Sequence, residues 1–214
     1  MLHMTLTIRK LAFPAVALFL ALTSLPAFAQ EAPRTVRPTS AGEPTAVESS
    51  APAEAASADA VAASRLSLSA RGLAFIERLE SFVGHIYNDS AGNCTIGYGH
   101  LVHLGACNSA DHARYPHGIT RAQAAQLLRG DVSVAERAIR SDVKVRLNQH
   151  QFDALASFVF NIGTTAFKNS TLLRVLNQGH YSQVPAQMKR WIIGGPGLVA
   201  RRQAESRLWS HGIY

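Results

Sequence analysis

Acidic side chains are scarce in this 214-residue chain, which has 14 Asp and Glu residues against 21 Lys and Arg residues. The net charge of +7 disfavours a basic partner and favours an anionic one, such as a cell wall, a nucleic acid or a membrane surface. Aromatic residues are also few, and the arginines are scattered over several predicted helices without a series of aromatic residues on which bases would stack. We therefore expect no nucleic-acid partner.

The N-terminal region lacks an apolar run long enough to span a bilayer comfortably. Its apolar stretch runs from Leu11 to Leu22 and is interrupted by Pro14. Arg9-Lys10 precedes this stretch, and Ala27-Phe28-Ala29 forms a small-x-small cleavage site. Residues 1–29 are therefore predicted to be a Sec-type signal peptide, and the mature protein is expected in the periplasm or outside the cell. The alternative is an uncleaved anchor, which would be the chain's one membrane contact.

Cysteine is nearly absent, with Cys94 and Cys107 as the two in the chain. Because export leads to an oxidising compartment, the simplest interpretation is a disulfide between them. The alternative is a zinc site formed by both cysteines with His100 and His103, but strand neighbours rarely aim four ligands at one point. We therefore expect a disulfide and no metal or other cofactor.

Large aliphatic and aromatic side chains are missing from residues 30–65, which are mainly Ala, Pro, Ser, Thr and Glu. A segment with so little to bury is predicted to be a disordered linker. Residues 66–214 carry regular hydrophobic patterns and are predicted to form one globular domain. Its expected fold class is α+β, mostly α, with six or seven helices and one small sheet.

The hydrophobic patterns place the elements of this domain. A helix is predicted from the N-cap Ser69 to Glu80, followed by a small antiparallel sheet within residues 85–104 and a polar loop over 105–118. Apolar residues surround the segment 152–160, which predicts a central, buried helix. The helices that follow the loop have predicted N-caps at Thr120, Asn148 and Ser170.

Two acids and a hydroxyl are brought together by the predicted sheet. Glu80 ends a helix among apolar neighbours, Asp89 lies in a polar turn, and Thr95 follows on the next strand. Hydrolysis of a glycosidic bond requires a carboxylic acid that protonates the leaving oxygen and a carboxylate on the opposite face. We expect Glu80 to supply the proton from a partly apolar setting, Asp89 to stay ionised, and Thr95 to hold a water beside it.

Each of these residues also has an ordinary structural explanation. Asp89 would be a common residue of an Asx-turn, Glu80 a solvated helix residue, and Thr95 a strand threonine. Their joint spacing favours the catalytic interpretation. The glycines that follow, Gly97 and Gly99, are predicted to keep side chains off the floor of a groove that holds a polymer.

The pattern Glu-x8-Asp-x5-Thr-Ile-Gly-Tyr-Gly-His resembles the phage-type lysozymes, the endolysin muramidases of glycoside hydrolase family 24. The resemblance extends over about residues 70–210 and includes the segments Leu127–Val132, Leu147–Leu155, Phe160–Gly163 and Gly197–Glu205. It implies a lysozyme-like fold with a small sheet at the active-site cleft. It also implies hydrolysis of the β-1,4 bond between N-acetylmuramic acid and N-acetylglucosamine in peptidoglycan glycan strands.

The resemblance assigns roles residue by residue. Glu80 matches the general acid, Asp89 the acid that activates water, and Thr95 its helper, with inversion at the anomeric carbon. His100 and Asp131 match a structural ion pair between sheet and helix. The positions that match residues lining the saccharide cleft are Leu101, Phe160 and Ser170.

This chain departs from the family pattern at Ser81, where a glycine usually follows the catalytic Glu. We expect Ser81 either to narrow the groove or to point away from it. The alternative function is a non-catalytic peptidoglycan-binding or membrane-disrupting basic protein, and the retention of Glu80, Asp89 and Thr95 together argues against it. The protein is expected to be a monomer.

Overall fold

The computed structural model describes residues 53–193 and 196–214. This part of the chain is mostly helical and carries two small antiparallel sheets, which confirms the predicted α+β, mostly α class. Within it, no helix combines the length and apolar character needed to cross a bilayer. The predicted signal peptide, residues 1–29, and most of the predicted linker lie outside the described residues.

The strands and helices follow one another along the chain with short connections. The strands are β1 (Val61–Ala62), β2 (Val83–Asn88), β3 (Cys94–Gly97), β4 (His100–His103) and β5 (Arg146–Leu147). The helices are α1 (Ala70–Leu79), α2 (Ser109–Arg114), α3 (Arg121–Asp142), α4 (Gln149–Ile162), α5 (Thr164–Lys168), α6 (Thr171–Asn177), α7 (Val184–Met188) and α8 (Pro196–His211). Two short 3-10 turns, Ala63–Arg65 and Tyr181–Gln183, lie between them.

The four helices α1, α3, α4 and α6 begin where the sequence predicts, because a side chain satisfies their first free backbone N–H groups. Ser69 accepts from the N–H of Gly72 at 2.9 Å, and Ser170 does the same at the start of α6. Thr120 and Asn148 form complete capping boxes at α3 and α4. Four boundaries are thus determined locally.

Helix α4 is the centre of the domain. Its residues 151–159 are all buried, and α1, α3 and α8 pack around it. The helix ends at Gly163, whose φ of 85° is a conformation that L side chains rarely adopt. The prediction of a central, buried helix is confirmed, and α4 is the support on which the elements around the site are placed.

The larger sheet has the order β2-β3-β4, with both neighbouring pairs antiparallel. β3 is buried throughout and packs on α3. Gly97 explains this close approach: its φ is 71°, and a Cβ there would lie 3.1 Å from the Cβ of Ala124. The prediction that Gly97 clears a groove floor is therefore wrong, because the space that it keeps free is occupied by α3. A Cβ on Gly99, by contrast, would meet nothing within 4 Å.

Residues 53–68 precede α1 and contact the helices of the domain. We call these residues the N-terminal strap. Its strand β1 pairs with β5, which lies more than 80 residues away in the sequence. Arg146 of β5 donates through Nε to the carbonyl oxygen of Ala60 at 2.8 Å, and Ala60 is fully buried. Arg140 donates likewise to the carbonyl of Leu66 at 2.9 Å. Backbone hydrogen bonds to arginines therefore hold the strap in place.

The strap extends back to the first described residues. The N–H of Glu54 donates to the carbonyl of Gly179 at 2.8 Å, and its carboxylate accepts from the N–H of Ser182 at 2.8 Å. The domain therefore begins before the predicted boundary at residue 66. The hydrophobic pattern does not reveal residues 53–65, because the buried side chains among them, Ala60 and Ala63, are small.

A buried carboxylate fixes the start of α1. Asp153 of α4 is fully buried and accepts from the N–H of Ser69 at 3.0 Å and from the hydroxyl of Tyr214 at 2.7 Å. Burial, and after it the hydrogen bond to Asp153 and the charge of Asp153, raise the pKa of Tyr214 to about 12. A Cβ on Gly72 would lie 2.6 Å from Asp153 Cγ, so α1 approaches α4 closely here. The orientation of α1, which leads into Glu80, is set at this point.

The predicted polar loop over 105–118 contains a helix, α2. Asn108 and Asp111 form a capping box at its first turn, and Asp111 also accepts from His103 Nε2 at 2.7 Å. Because α2 has six residues and little apolar surface, the hydrophobic pattern does not reveal it. The final helix, α8, runs over Pro196–His211.

Candidate active site

Glu80 follows the last residue of α1, and its N–H still donates to the carbonyl of Ile76 at 3.0 Å. Its side chain is only 9 % exposed, and Oε1 accepts from Arg201 Nη1 at 2.7 Å. The expected apolar setting is therefore wrong in its main feature, since the carboxylate is paired with a guanidinium from α8. The sequence segment that contains Arg201 indicated the family, but nothing local indicated this contact.

Arg201 is shared between two carboxylates. Its Nε donates to Glu205 Oε1 at 3.0 Å, and its Nη2 donates to the carbonyl of Ser157 at 3.3 Å. Burial alone would lower the pKa of Arg201, but the attraction of Glu205 and then Glu80 outweighs it and raises the pKa. The guanidinium therefore stays charged beside Glu80. It is held in place by Ser157 of α4 and Glu205 of α8.

Asp89 divides its two carboxylate oxygens between structure and site. Oδ1 accepts from the N–H groups of Ala91 and Asn93, each at 2.9 Å, which makes the Asx-turn between β2 and β3. Oδ2 faces the hydroxyl of Thr95 at 3.4 Å. The structural explanation of Asp89 and the catalytic one are thus compatible, because each uses a different oxygen.

Thr95 lies on β3 opposite Tyr87 on one side and Leu101 on the other. It is 2 % exposed, and its Oγ1 lies 3.3 Å from the carbonyl oxygen of Asn93. The hydroxyl is therefore fixed by the strand and not free to rotate into solvent. Burial, and after it the charges of Asp89 and Glu80, raise the pKa of Tyr87. Tyr87 is thus within electrostatic reach of both acids, a position that sequence reasoning missed.

Cys94 and Cys107 are joined by a disulfide in the structure. The bridge lies directly before Thr95, and Cys107 is further held by its N–H, which donates to Asn88 Oδ1 at 2.8 Å. The same residues do not form the alternative zinc site, because the two sulfurs are bonded to each other and His100 contacts Asp131 instead. The disulfide connects the β2–β3 hairpin to the loop before α2.

His100 of β4 contacts both carboxylate oxygens of Asp131 on α3, each at 3.0 Å from Nδ1. The hydrogen bond to Asp131 is the main cause that raises the pKa of His100. The pair ties the sheet to the helix on which β3 packs, and it makes no contact with Glu80 or Asp89. Its position fits the structural role that the sequence predicts.

Breaking this pair is expected to change stability in a pH-dependent way. Because the pKa of His100 is raised in the folded protein, the stabilisation is complete below the ordinary histidine value of 6.5 and disappears as the pH rises through the raised value. We expect His100→Asn to lower the free energy of unfolding by about 1–2 kcal/mol at pH 5.5 and by less at pH 9. Urea unfolding at both pH values measures this, with His117→Asn, an exposed histidine, as the control. An equal loss at both pH values would contradict the assignment.

The three predicted substrate-binding residues differ in their surroundings. Leu101 is 47 % exposed on β4, and Phe160 is partly buried near the end of α4. Ser170 is buried, and its hydroxyl is occupied, donating to the carbonyl of Phe167 at 2.7 Å and accepting from Leu173 N–H at 3.0 Å. Ser81 is exposed.

A groove of about 610 Å³ reaches Glu80 from the side of α1 and α3. Its lining includes Phe82, Tyr98 and the charged residues Arg78 and Arg121. Asp89 and Thr95 do not line it. Of the three residues predicted to be catalytic, the groove therefore reaches Glu80 alone.

Comparison with known proteins identifies the family of the chain. The family model described as Phage lysozyme matches residues 77–205, which include Glu80, the hairpin, α4 and Glu205. The chain belongs to the phage lysozyme family. This lysozyme is therefore a glycoside hydrolase that degrades peptidoglycan.

Three relatives illustrate the similarity. The lysozyme is 40 % identical over 152 residues to an endolysin of Acyrthosiphon pisum secondary endosymbiont phage 1, covering 67 % of this chain and 98 % of the relative. The endolysin from Escherichia coli O157:H7 phage FAHEc1 has a similar solved structure, with a TM-score of 0.62, 31 % identity, and coverage of 70 % and 97 %. The solved structure of the muramidase domain of SpmX from Asticaccaulis excentricus has a TM-score of 0.58 and 31 % identity. The match covers 68 % of this chain and 99 % of that domain.

Proposed function

We propose that this lysozyme hydrolyses the β-1,4 bond between N-acetylmuramic acid and N-acetylglucosamine by a single displacement that inverts the anomeric carbon. Glu80 is the general acid, Asp89 the general base, and Thr95 the group that holds the attacking water. The observation that supports this best is the division of Asp89, whose Oδ1 holds the turn while Oδ2 faces Thr95 Oγ1. One carboxylate is thus fixed in a position from which it can bind a water.

The reaction balances with these three side chains. Protonated Glu80 donates its proton to the glycosidic oxygen as the bond from that oxygen to C1 breaks. The water held by Asp89 Oδ2 and Thr95 Oγ1 attacks C1 from the opposite face, and Asp89 takes its proton. Glu80 then regains a proton from solvent and Asp89 loses one. A water must fit between the acids, which is typical of carboxyl groups about 6.5–9.5 Å apart.

The products test the bond and the stereochemistry separately. Digestion of purified peptidoglycan followed by borohydride reduction and mass spectrometry is expected to give fragments that end in reduced N-acetylmuramic acid. Proton NMR in the first minutes is expected to show the α-anomer, because a β-bond is cleaved with inversion. Fragments that end in reduced N-acetylglucosamine would contradict the bond assignment. An initial β-anomer would contradict the single displacement.

The glycan is proposed to contact Leu101, Phe160 and Ser170 in addition to the acids. Leu101 supports this best, because it is exposed and lies opposite Thr95 on β4. The hydroxyl of Ser170 already has two partners. A sugar would therefore contact Ser170 through atoms other than its hydroxyl. Alanine variants should raise KM, measured on soluble glycan strands, more for Leu101 than for Ser170.

We also propose that the enzyme works as a monomer in the periplasm or outside the cell. The predicted signal peptide, residues 1–29, and the disulfide next to Thr95 support export. The linker then begins at Gln30 and ends where the strap begins. Contact with the membrane would arise only from residues 1–29 while they remain attached. N-terminal sequencing of the exported protein checks cleavage after Ala29.

A further inference from the structure

We propose that Glu205 is a positioning residue for the glycosidase reaction. It holds Arg201 in place and neutralises it, so that Glu80 keeps the proton that it must donate. Glu205 makes no contact with Glu80 and acts through Arg201. This inference rests on the proposed role of Glu80 as the general acid.

The first observation is that Glu205 is buried and that both of its carboxylate oxygens accept hydrogen bonds. The residue is 0 % exposed, and Oε1 accepts from Ser157 Oγ at 2.8 Å and from Arg201 Nε at 3.0 Å. Oε2 accepts from Arg202 Nη1 at 2.5 Å. A buried carboxylate is costly unless it is paired and hydrogen-bonded in this way. Glu205 therefore has one orientation, and Arg201 is held in that orientation with it.

The second cation, Arg202, is fixed from three further sides. Its Nε donates to the carbonyl of Trp191 at 3.0 Å, its Nη2 donates to Asn161 Oδ1, and its guanidinium lies 4.8 Å from the ring centre of Phe158. Arg202 cannot turn toward Glu80 without losing these contacts. The geometry therefore assigns it to Glu205 and leaves Arg201 as the cation that reaches the acid.

The charges alternate along this chain of contacts, from Glu80 to Arg201, Glu205 and Arg202. With Glu205 present, Arg201 has a carboxylate partner whether or not Glu80 carries a proton. Without it, the guanidinium would be a buried cation whose remaining carboxylate partner is Glu80. Such a cation favours the ionised carboxylate strongly, because charges interact more strongly away from water. Glu80 would then hold its proton less readily.

Other charged groups face Glu80, and none of them replaces Glu205. Tyr87 is on the hairpin side, within electrostatic reach of both Glu80 and Asp89. The groove on the other side is lined by the charged residues Glu77, Arg78 and Arg121. Among the ion pairs of the described residues, those of Arg201 are with Glu80 and Glu205. The neutralisation of the charge on Arg201 by a group other than Glu80 thus depends on Glu205.

The test is the pH profile of turnover for Glu205→Gln. This change keeps the shape of the side chain and an acceptor for Ser157, but it removes the charge. We expect kcat to fall about tenfold at pH 7 with KM changed less than twofold. The alkaline limb of the kcat profile, where the acid loses its proton, should move to lower pH. Glu205→Asp should restore part of the shift.

Two further variants separate positioning from general destabilisation. Asp153→Asn makes the same kind of change in a fully buried carboxylate whose contacts are with Ser69 and Tyr214, and it should lower the melting temperature without moving the alkaline limb. Ser157→Ala keeps all four charges and removes one hydrogen bond to Glu205, so it should lower kcat about threefold. It carries the test if Glu205→Gln does not fold.

Comparison with Glu80→Gln distinguishes the possible failures. If Glu80→Gln is inactive while the Glu205 and Ser157 variants behave like Asp153→Asn, the positioning role is wrong and the proposed mechanism stands. If Glu80→Gln keeps full activity, the proposed mechanism is wrong and the positioning role is overturned with it. A shifted alkaline limb in Glu205→Gln, with KM unchanged, supports the role of Glu205.

Discussion

Replacement of Glu80 by glutamine is expected to slow the clearing of cell-wall suspensions by about 10³-fold. A glutamine side chain keeps the size of Glu80 and its contact with Arg201 through the amide oxygen, but it has no proton to donate. General acid catalysis contributes roughly 10²–10⁴ to such reactions, and protonation of the leaving oxygen is the step that has no substitute among the neighbouring side chains. The measurement is the initial rate of turbidity loss with purified wall fragments.

The matched control for this experiment is Glu77→Gln. Glu77 lies one turn earlier on α1 and has no ion pair with Arg201. Its replacement by glutamine changes the net charge by the same amount. We expect its rate to stay within twofold of the wild type. If Glu80→Gln and the wild type clear the wall equally well, catalysis is not at Glu80. Disruption of membranes by the basic surface would then be the better account of lysis.

Loss of the disulfide is expected to have the second-largest effect. Cys94 and Cys107 are 13 residues apart in sequence, and closing a loop of this length stabilises a protein by about 3 kcal/mol on the chain-entropy model. For a domain of this size that corresponds to a decrease of about 6–12 °C in melting temperature. We expect this decrease for the double variant Cys94→Ser, Cys107→Ser, measured by calorimetry.

The same variant should also lose activity. Cys94 precedes Thr95 directly, and its N–H donates to the carbonyl of Gly105 at 2.8 Å, so the bridge limits the movement of the strand that carries the hydroxyl. We expect a several-fold lower kcat. Reduction of the wild type should reproduce both effects and leave the double variant unchanged, which controls for effects of the reductant. Unchanged melting and turnover in the double variant would show that the bridge has neither role.

The predictions that were confirmed rest on short-range physics. A helix such as α4 is specified by its own apolar residues, by Asn148 with Gln151 at one end and by Gly163 at the other. The hairpin is specified by Asp89, whose side chain makes the turn with residues no more than four positions away. In each case the interacting groups lie within a few residues of one another, and so their spacing can be read directly.

The strap shows why other features could not be predicted. Its alanines carry no hydrophobic signal, and its strand exists because Arg146 and Leu147 arrive beside it after more than 80 residues of chain. The prediction for Gly97 was wrong for a similar reason. The helix that packs against it, α3, begins only at Arg121. Contacts of this kind depend on how elements pack, and local spacing does not contain that information.

The sequence by itself determined the family, the N-caps of α1, α3, α4 and α6, and the three residues proposed to act on the glycan. The tertiary structure decided how Glu80 is held. Arg201 lies 121 residues later in the chain and reaches Glu80 because α8 packs on α4, and Glu205 and Ser157 meet behind it for the same reason. The surroundings of a carboxyl group depend on burial and on the charges nearby in space. For Glu80 these come from helices at the other end of the chain.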